Sequence, residues 1–132
     1  MSLTDEERRI MVDLEIERAE RITQQFQVLQ EQQYWDTLVN RMYYAVFHAV
    51  SALLIHNAMP VHTHKGALHV FNREFVRTGM FSVEEGRLFS QLEGLRERGD
   101  YNCFLDASED EIVPLIEPLK SLIEKIKREI AK

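Results

Sequence analysis

Val39-Asn40-Arg41-Met42-Tyr43-Tyr44-Ala45-Val46-Phe47-His48-Ala49-Val50-Ser51-Ala52-Leu53-Leu54-Ile55 decides the fold. Wound as a helix, this run is apolar on almost every side, and a helix apolar all round is buried all round. It therefore reads as the central rod of the molecule. Its few polar side chains carry the information. Arg41, Tyr44 and His48 recur at helical spacing and share one stripe. A cation inside a core must be paired or reach a wet groove, because an unpaired buried charge is costly. Two readings follow. In one, Arg41 meets a carboxylate from another helix and His48 is a hydrogen-bonded core histidine. In the other, the stripe borders a groove for a ligand or partner.

Working outward, 132 residues suit one domain spanning the chain, with one core. Hydrophobic residues make up 45%, which argues against disorder. Five glycines, three prolines and short β-branched runs favour an all-α chain. The formal charge of −6 disfavours general nucleic-acid binding but leaves room for a local basic groove. The single Cys103 excludes an intrachain disulfide framework and permits a reducing compartment. The N-terminus has no secretory pattern, and no apolar run reads as membrane-spanning. A soluble cytoplasmic protein is the expectation.

Punctuation along the chain predicts an up-and-down bundle of about five helices. Thr4-Asp5-Glu6-Glu7 is a capping box opening a helix to about Gln30, with Ile10, Met11, Leu14, Ile22, Phe26 and Leu29 inward. Its opposite face, which includes Arg8 and Glu15, reads as solvated. A tight turn at Glu31-Gln32-Gln33 leads into the central helix, from about Tyr34 to Asn57. Pro60 stops that helix, and Thr63 caps the next, His64 to about Thr78, which Gly79 ends. Ser82-Val83-Glu84-Glu85 opens a helix to about Arg98, and Gly99 can close it. Asp100 to Ala107 reads as a loop. Ser108-Glu109-Asp110-Glu111 caps the last helix, where Pro118 predicts a kink or a later start. Tyr34, Trp35 and Phe81 are the candidate exposed aromatics for a partner surface.

Few residues carry chemical signals. His48, His56, His62, His64 and His69 cluster, and His62-x-His64 could ligate a metal, but the spacing matches no strong motif and no metal site is predicted. No Gly-rich phosphate loop is present, and no cofactor is expected. Glu84, Glu85 and Glu93 read as caps and solvated face. In Gly94-Leu95-Arg96-Glu97-Arg98-Gly99-Asp100-Tyr101, two arginines at a helix end precede an acid and a phenol. Arginine's donor fork suits phosphate and tyrosine can stack on a base. The alternative is a helix terminus complemented by cations, with Arg96 or Arg98 paired to Asp100.

Asn40-Arg41-Met42-Tyr43-Tyr44-Ala45-Val46-Phe47-His48-Ala49, Thr63-His64-Lys65-Gly66, Phe75-Val76-Arg77-Thr78-Gly79 and Arg96-Glu97-Arg98-Gly99-Asp100-Tyr101, in that order, resemble the HEPN domain family. The likeness is to its small stand-alone branch, with an Arg-x-Tyr-Tyr-Ala helix and a late Arg…Asp-Tyr motif. The resemblance implies a helical bundle, a homodimer, and pairing with a small nucleotidyltransferase-fold protein in a toxin–antitoxin system. It also implies, for many members, a metal-independent ribonuclease in which an Arg holds phosphate charge and a His, with four to six residues between them, is general acid–base.

Here the chain departs from the family. Tyr101, Asn102 and Cys103 stand where that His should follow Arg96, and no His follows His69. The expectation is therefore a noncatalytic module binding a nucleotide or RNA phosphate through Arg41, Tyr44, His48, His64, Arg96 and Tyr101. The first alternative is a divergent ribonuclease with Arg96, Asp100 and Tyr101 catalytic, and His48 or His64 as possible substitute bases. The second is a purely structural interaction module.

Overall fold

The computed structural model describes residues 2–59, 61–101 and 108–132, with Tyr101 described by its backbone alone. The order is α1 (Asp5–Thr23), α2 (Phe26–Glu31), α3 (Trp35–His56), α4 (His64–Phe71) continuing into a wide helical turn (Asn72–Val76), α5 (Val83–Tyr101) and α6 (Glu109–Ala131). The fold is an all-helical bundle. α3 is its rod, and α1, α2, α4, α5 and α6 all pack on it. Half of its 22 residues are buried, among them Leu38, Met42, Tyr43, Val46, Leu53 and Leu54. Burying a side chain of that size stabilises by about 1.5–3 kcal/mol. At 22 residues α3 is also long and apolar enough to cross a membrane, contrary to the sequence expectation, but the other helices cover most of it.

The caps lie where the sequence puts them. Thr4 and Glu7 exchange both arms of a capping box, at 3.0 and 2.8 Å. Ser82 and Glu85 do the same at 3.1 and 2.7 Å. Thr63 Oγ1 accepts from the Gly66 N–H at 2.8 Å, and Ser108 Oγ accepts from the Glu111 N–H at 3.3 Å.

Four features differ from expectation. First, the opening helix breaks at Thr23–Gln25, where the Thr23 hydroxyl donates to the Ala19 carbonyl at 2.8 Å and the Gln25 N–H turns to Ile22. Such back-bonding bends helices. Second, α1 faces α3 with Arg8, Val12, Glu15, Ala19 and Ile22; of the predicted stripe, Ile22 and Phe26 are buried and Leu29 packs on the core, but the first three members are not inward. Ile10 and Leu14 are 52% and 59% exposed, and Met11 is exposed too. Two polar residues on the packed seam misdirect the hydrophobic pattern. Arg8 Nη1 donates to the Ile55 carbonyl at 2.9 Å, at the negative end of α3, and Glu15 reaches His48. Third, α5 runs past Gly99 to Tyr101, so Asp100 is helical. Fourth, α6 starts at Glu109, as its Ser108 cap predicts, and runs through both Pro114 and Pro118, so the later start offered for Pro118 does not occur.

Tyr34 is exposed, but Trp35 is half-buried against the core. Phe81 is buried beneath Lys125, whose Nζ lies 4.8 Å from the ring centroid. The rest of the predicted loop, Asn102 to Ala107 with Cys103, lies outside the described residues, as does Pro60.

Candidate functional site

Tyr43 is the pivot of the polar side of α3. Its ring is fully buried, stacked between Phe47 and Phe89 at 5.9 and 6.1 Å. Its hydroxyl shares a 2.8 Å hydrogen bond with His64 Nδ1 at the start of α4. Burial, then the charge of Glu93, drives the phenol far above its ordinary pKa, so it stays protonated. Burial, then Arg96, lowers the pKa of His64 and keeps the imidazole neutral near pH 7. The imidazole packs among Tyr43, Tyr44 and Phe47, at 5.5, 5.7 and 4.6 Å between ring centroids.

Arg96 comes to the same ring from α5. Its Cζ lies 4.8 Å from the Tyr43 centroid, a cation–π seat, and the residue is only 8% exposed. Nη1 donates to Asp100 Oδ2 at 2.9 Å. The two residues stand four apart, and because α5 continues through Asp100 the pair is set by helix geometry. Arg96 Nε is buried without a hydrogen-bond partner among the described residues. Beside it, Arg96, Gly99 and Asp100 of α5 and Asp36, Thr37 and Asn40 of α3 line a cavity of about 250 Å³.

Arg41 stands on the neighbouring ring, with Cζ 5.3 Å from the Tyr44 centroid; Tyr44 meets Tyr43 edge-on at 5.2 Å. Arg41 donates from Nε and Nη2 to Asn40 Oδ1 at 3.3 and 3.1 Å, and no carboxylate pairs with it among the described residues. The two arginines thus flank one aromatic pair, and Asn40 touches both Arg41 and the cavity of Arg96. The His48 ring edges this cluster, its centroid 5.6 Å from Phe47 and 6.4 Å from Tyr44, while its Nδ1 turns to α1 and lies 2.7 Å from Glu15 Oε2. His62 is exposed, and no group of three or more potential metal ligands occurs among the described residues. The Tyr101 side chain lies outside the described part.

Sequence reasoning missed Glu93. It is not on the solvated face: it is 5% exposed, with Oε2 unpartnered among the described residues. Burial, then Glu97, raises its pKa, while Arg96 and Lys65 pull against that rise. The available signal was spacing, since Phe89, Glu93 and Arg96 stand four and three apart and share one helix face. Glu85 does serve as a cap, and it also pairs with Lys125 at 2.9 Å.

An all-helical bundle with arginine, histidine and a buried carboxylate gathered on a tyrosine pair defines the class: a helical module with one polar site beside its central rod. Comparison with known proteins places it more closely. The HEPN domain model matches residues 12–130, and the chain belongs to the HEPN family. A UPF0332 protein of Thermotoga maritima is 37% identical over 97 residues, covering 68% of this chain and 74% of that protein. Two proteins of Methanocaldococcus jannaschii, named "Putative toxin MJ0142" and "Putative toxin MJ0605", are 28% and 29% identical. Each alignment covers 86% of this chain, and they cover 77% and 84% of those proteins.

Proposed function

We propose that this chain is a toxin-type HEPN module in which Arg96 receives a phosphate of a nucleotide or RNA end, and which works with a small nucleotidyltransferase-fold partner. The observation that carries the reading is a nearly buried guanidinium, seated on Tyr43, beside a polar cavity of about 250 Å³. A guanidinium held on an aromatic face has lost its rotamer freedom in advance, so binding an anion costs little further ordering. Asp100 occupies Nη1 in the free protein. Its side chain is 40% exposed and can swing to solvent when a phosphate takes its place. Arg41, held by Asn40 and Tyr44, is the second cation at this end of α3. The exposed Ile10, Met11 and Leu14 of α1 offer a surface for a homodimer or for the partner. The proposed setting is the cytoplasm.

The reading is noncatalytic because no histidine follows Arg96. One observation favours a ribonuclease instead: His64, neutral near pH 7, hydrogen-bonds the phenol that Arg96 covers. Such an imidazole can take the proton of a 2′-hydroxyl while arginine balances charge on phosphorus. Two measurements test these readings. Gel filtration with a purified small nucleotidyltransferase-fold protein should give a stable complex, and its absence counts against the module. Incubation with RNA should leave the substrate intact. Cleavage abolished by both Arg96→Ala and His64→Ala would replace the binding reading with the enzymatic one.

A further inference from the structure

Arg96 and Asp100 stand in the closing turns of α5, while its opening turns border a groove with different chemistry. This groove, of about 400 Å³, runs between α5 and the wide turn Asn72–Val76. Arg73 and Arg77 line it from the turn and Arg87 from α5. His69 joins them, and no carboxylate lines it among the described residues. All three arginines are exposed. Arg73 gives its Nε to Glu74 at 2.8 Å, while Arg77 and Arg87 have no ion-pair partner among the described residues. In a chain of net charge −6, this is a concentration of cations against the overall balance.

The backbone is shaped around the same place. The Arg77 N–H reaches back five residues to the Asn72 carbonyl at 2.9 Å, the closure of a helical turn widened by one residue. Such turns re-aim the side chains that follow and occur frequently at functional sites. Across the groove, a Cβ on Gly86 would lie 2.7 Å from Asn72 Oδ1, so the absence of a side chain at 86 lets Asn72 rest on α5.

We propose that this groove binds the phosphodiester backbone of a single-stranded nucleic acid. Three planar donor forks suit repeated phosphates. No phenylalanine, tyrosine or tryptophan lines the groove among the described residues, and His69 is its single ring against three arginines, so the contact is chiefly with the backbone and weakly dependent on sequence. Val76 and Val83 are the aliphatic side chains among the described lining residues, and an acidic peptide is the competing occupant that competition by polyglutamate tests. The proposal does not depend on Arg96 holding a phosphate.

The test is fluorescence anisotropy with a labelled oligouridine, titrated between 50 and 200 mM salt. Three phosphate contacts predict a slope of log K against log salt of about −2, or about a 20-fold loss across that range. Arg77→Gln with Arg87→Gln should cut the slope to about −0.7 and the loss to about 3-fold. Arg96→Met should change the slope by about 0.7 if it holds an RNA phosphate and not at all otherwise, so the two sites fail or succeed separately. Arg9→Gln with Arg18→Gln, an equal charge change on exposed positions of α1, should leave binding unaltered. Any of three results overturns the proposal: unchanged salt dependence in the groove double variant, an equal effect from the α1 pair, or competition by polyglutamate as strong as by unlabelled oligouridine at equal charge.

Discussion

Glu93→Gln should make the protein more stable, and the gain should depend on pH. The Glu93 carboxyl is 5% exposed, and its Oε2 has no hydrogen-bond partner among the described residues. A buried polar group left unpaired costs about 1–3 kcal/mol, and more when charged. Glutamine keeps the size and removes the charge, though it retains a polar amide, so the expected net gain at pH 7 is about 1–2 kcal/mol. For a chain of this length that corresponds to a rise in Tm of about 3–8 °C. The sign with pH follows from the raised pKa, whose leading cause is burial, followed by Glu97. The folded state holds this proton to a higher pH than the unfolded chain, whose value is near 4.5. Wild type therefore recovers stability as pH falls toward 4.5, and the advantage of Glu93→Gln shrinks over the same window and vanishes below it. Urea denaturation followed by circular dichroism, at several pH values between 4 and 7, reads both effects. A variant no more stable than wild type at pH 7, or a gain constant with pH, would refute the reasoning. A costly carboxyl beside a cavity arginine is what a working site retains at the expense of stability.

Asp100→Asn should free the Arg96 guanidinium. The aspartate is 40% exposed, so the pair is worth about 1 kcal/mol, and affinity for adenosine monophosphate by calorimetry should tighten about 5-fold. Gln33 and Ala58 hold left-handed backbone, with φ of 60° and 58°, where a side chain is strained. Gln33→Gly and Ala58→Gly should each stabilise by about 0.5–1 kcal/mol in thermal melts, offset in part by the freedom glycine gains when unfolded. His64 has a folded pKa below its ordinary 6.5, so the unfolded chain binds more protons as pH drops from there, and stability falls. His64→Gln should flatten that slope. It is best measured in the Glu93→Gln background, since Glu93 drives stability the other way at lower pH.

The rod, the caps and most helix limits were legible because each rests on a local rule. α3 is apolar all round, and Thr4, Thr63, Ser82 and Ser108 are capping residues followed by helical sequence. The turn after α2 was harder to place, because Gln33 occupies the left-handed position where glycine is usual. The Tyr34 N–H reaches Leu29 at 2.9 Å and the Gln33 N–H reaches Gln30 at 3.0 Å, closing the helix without the expected signal. The first half of the α1 face was misread, though Ile22 was placed correctly, because Arg8 and Glu15 look like solvent residues until the carbonyl of Ile55 and the ring of His48 are known to wait opposite them.

For the site, helical spacing put Arg41, Tyr44 and His48 on one stripe. It could not say that His48 turns to α1, nor that Tyr43, one position off that stripe, is where Arg96 and His64 meet. Those contacts join residues 21 to 53 positions apart, and only packing determines them. Glu93 went unnoticed because a glutamate on an amphipathic helix reads as surface, whereas here it lies on the face shared by Phe89 and Arg96.

The central claim is that Arg96, poised on Tyr43, is a receptor for a single phosphate group. Calorimetric titration of adenosine monophosphate into wild type, Arg96→Met and the double variant Arg77→Gln with Arg87→Gln tests it most directly. Saturable binding in wild type and in the double variant, lost in Arg96→Met, is the predicted result. No heat of binding in wild type, or the same isotherm in Arg96→Met, would contradict it.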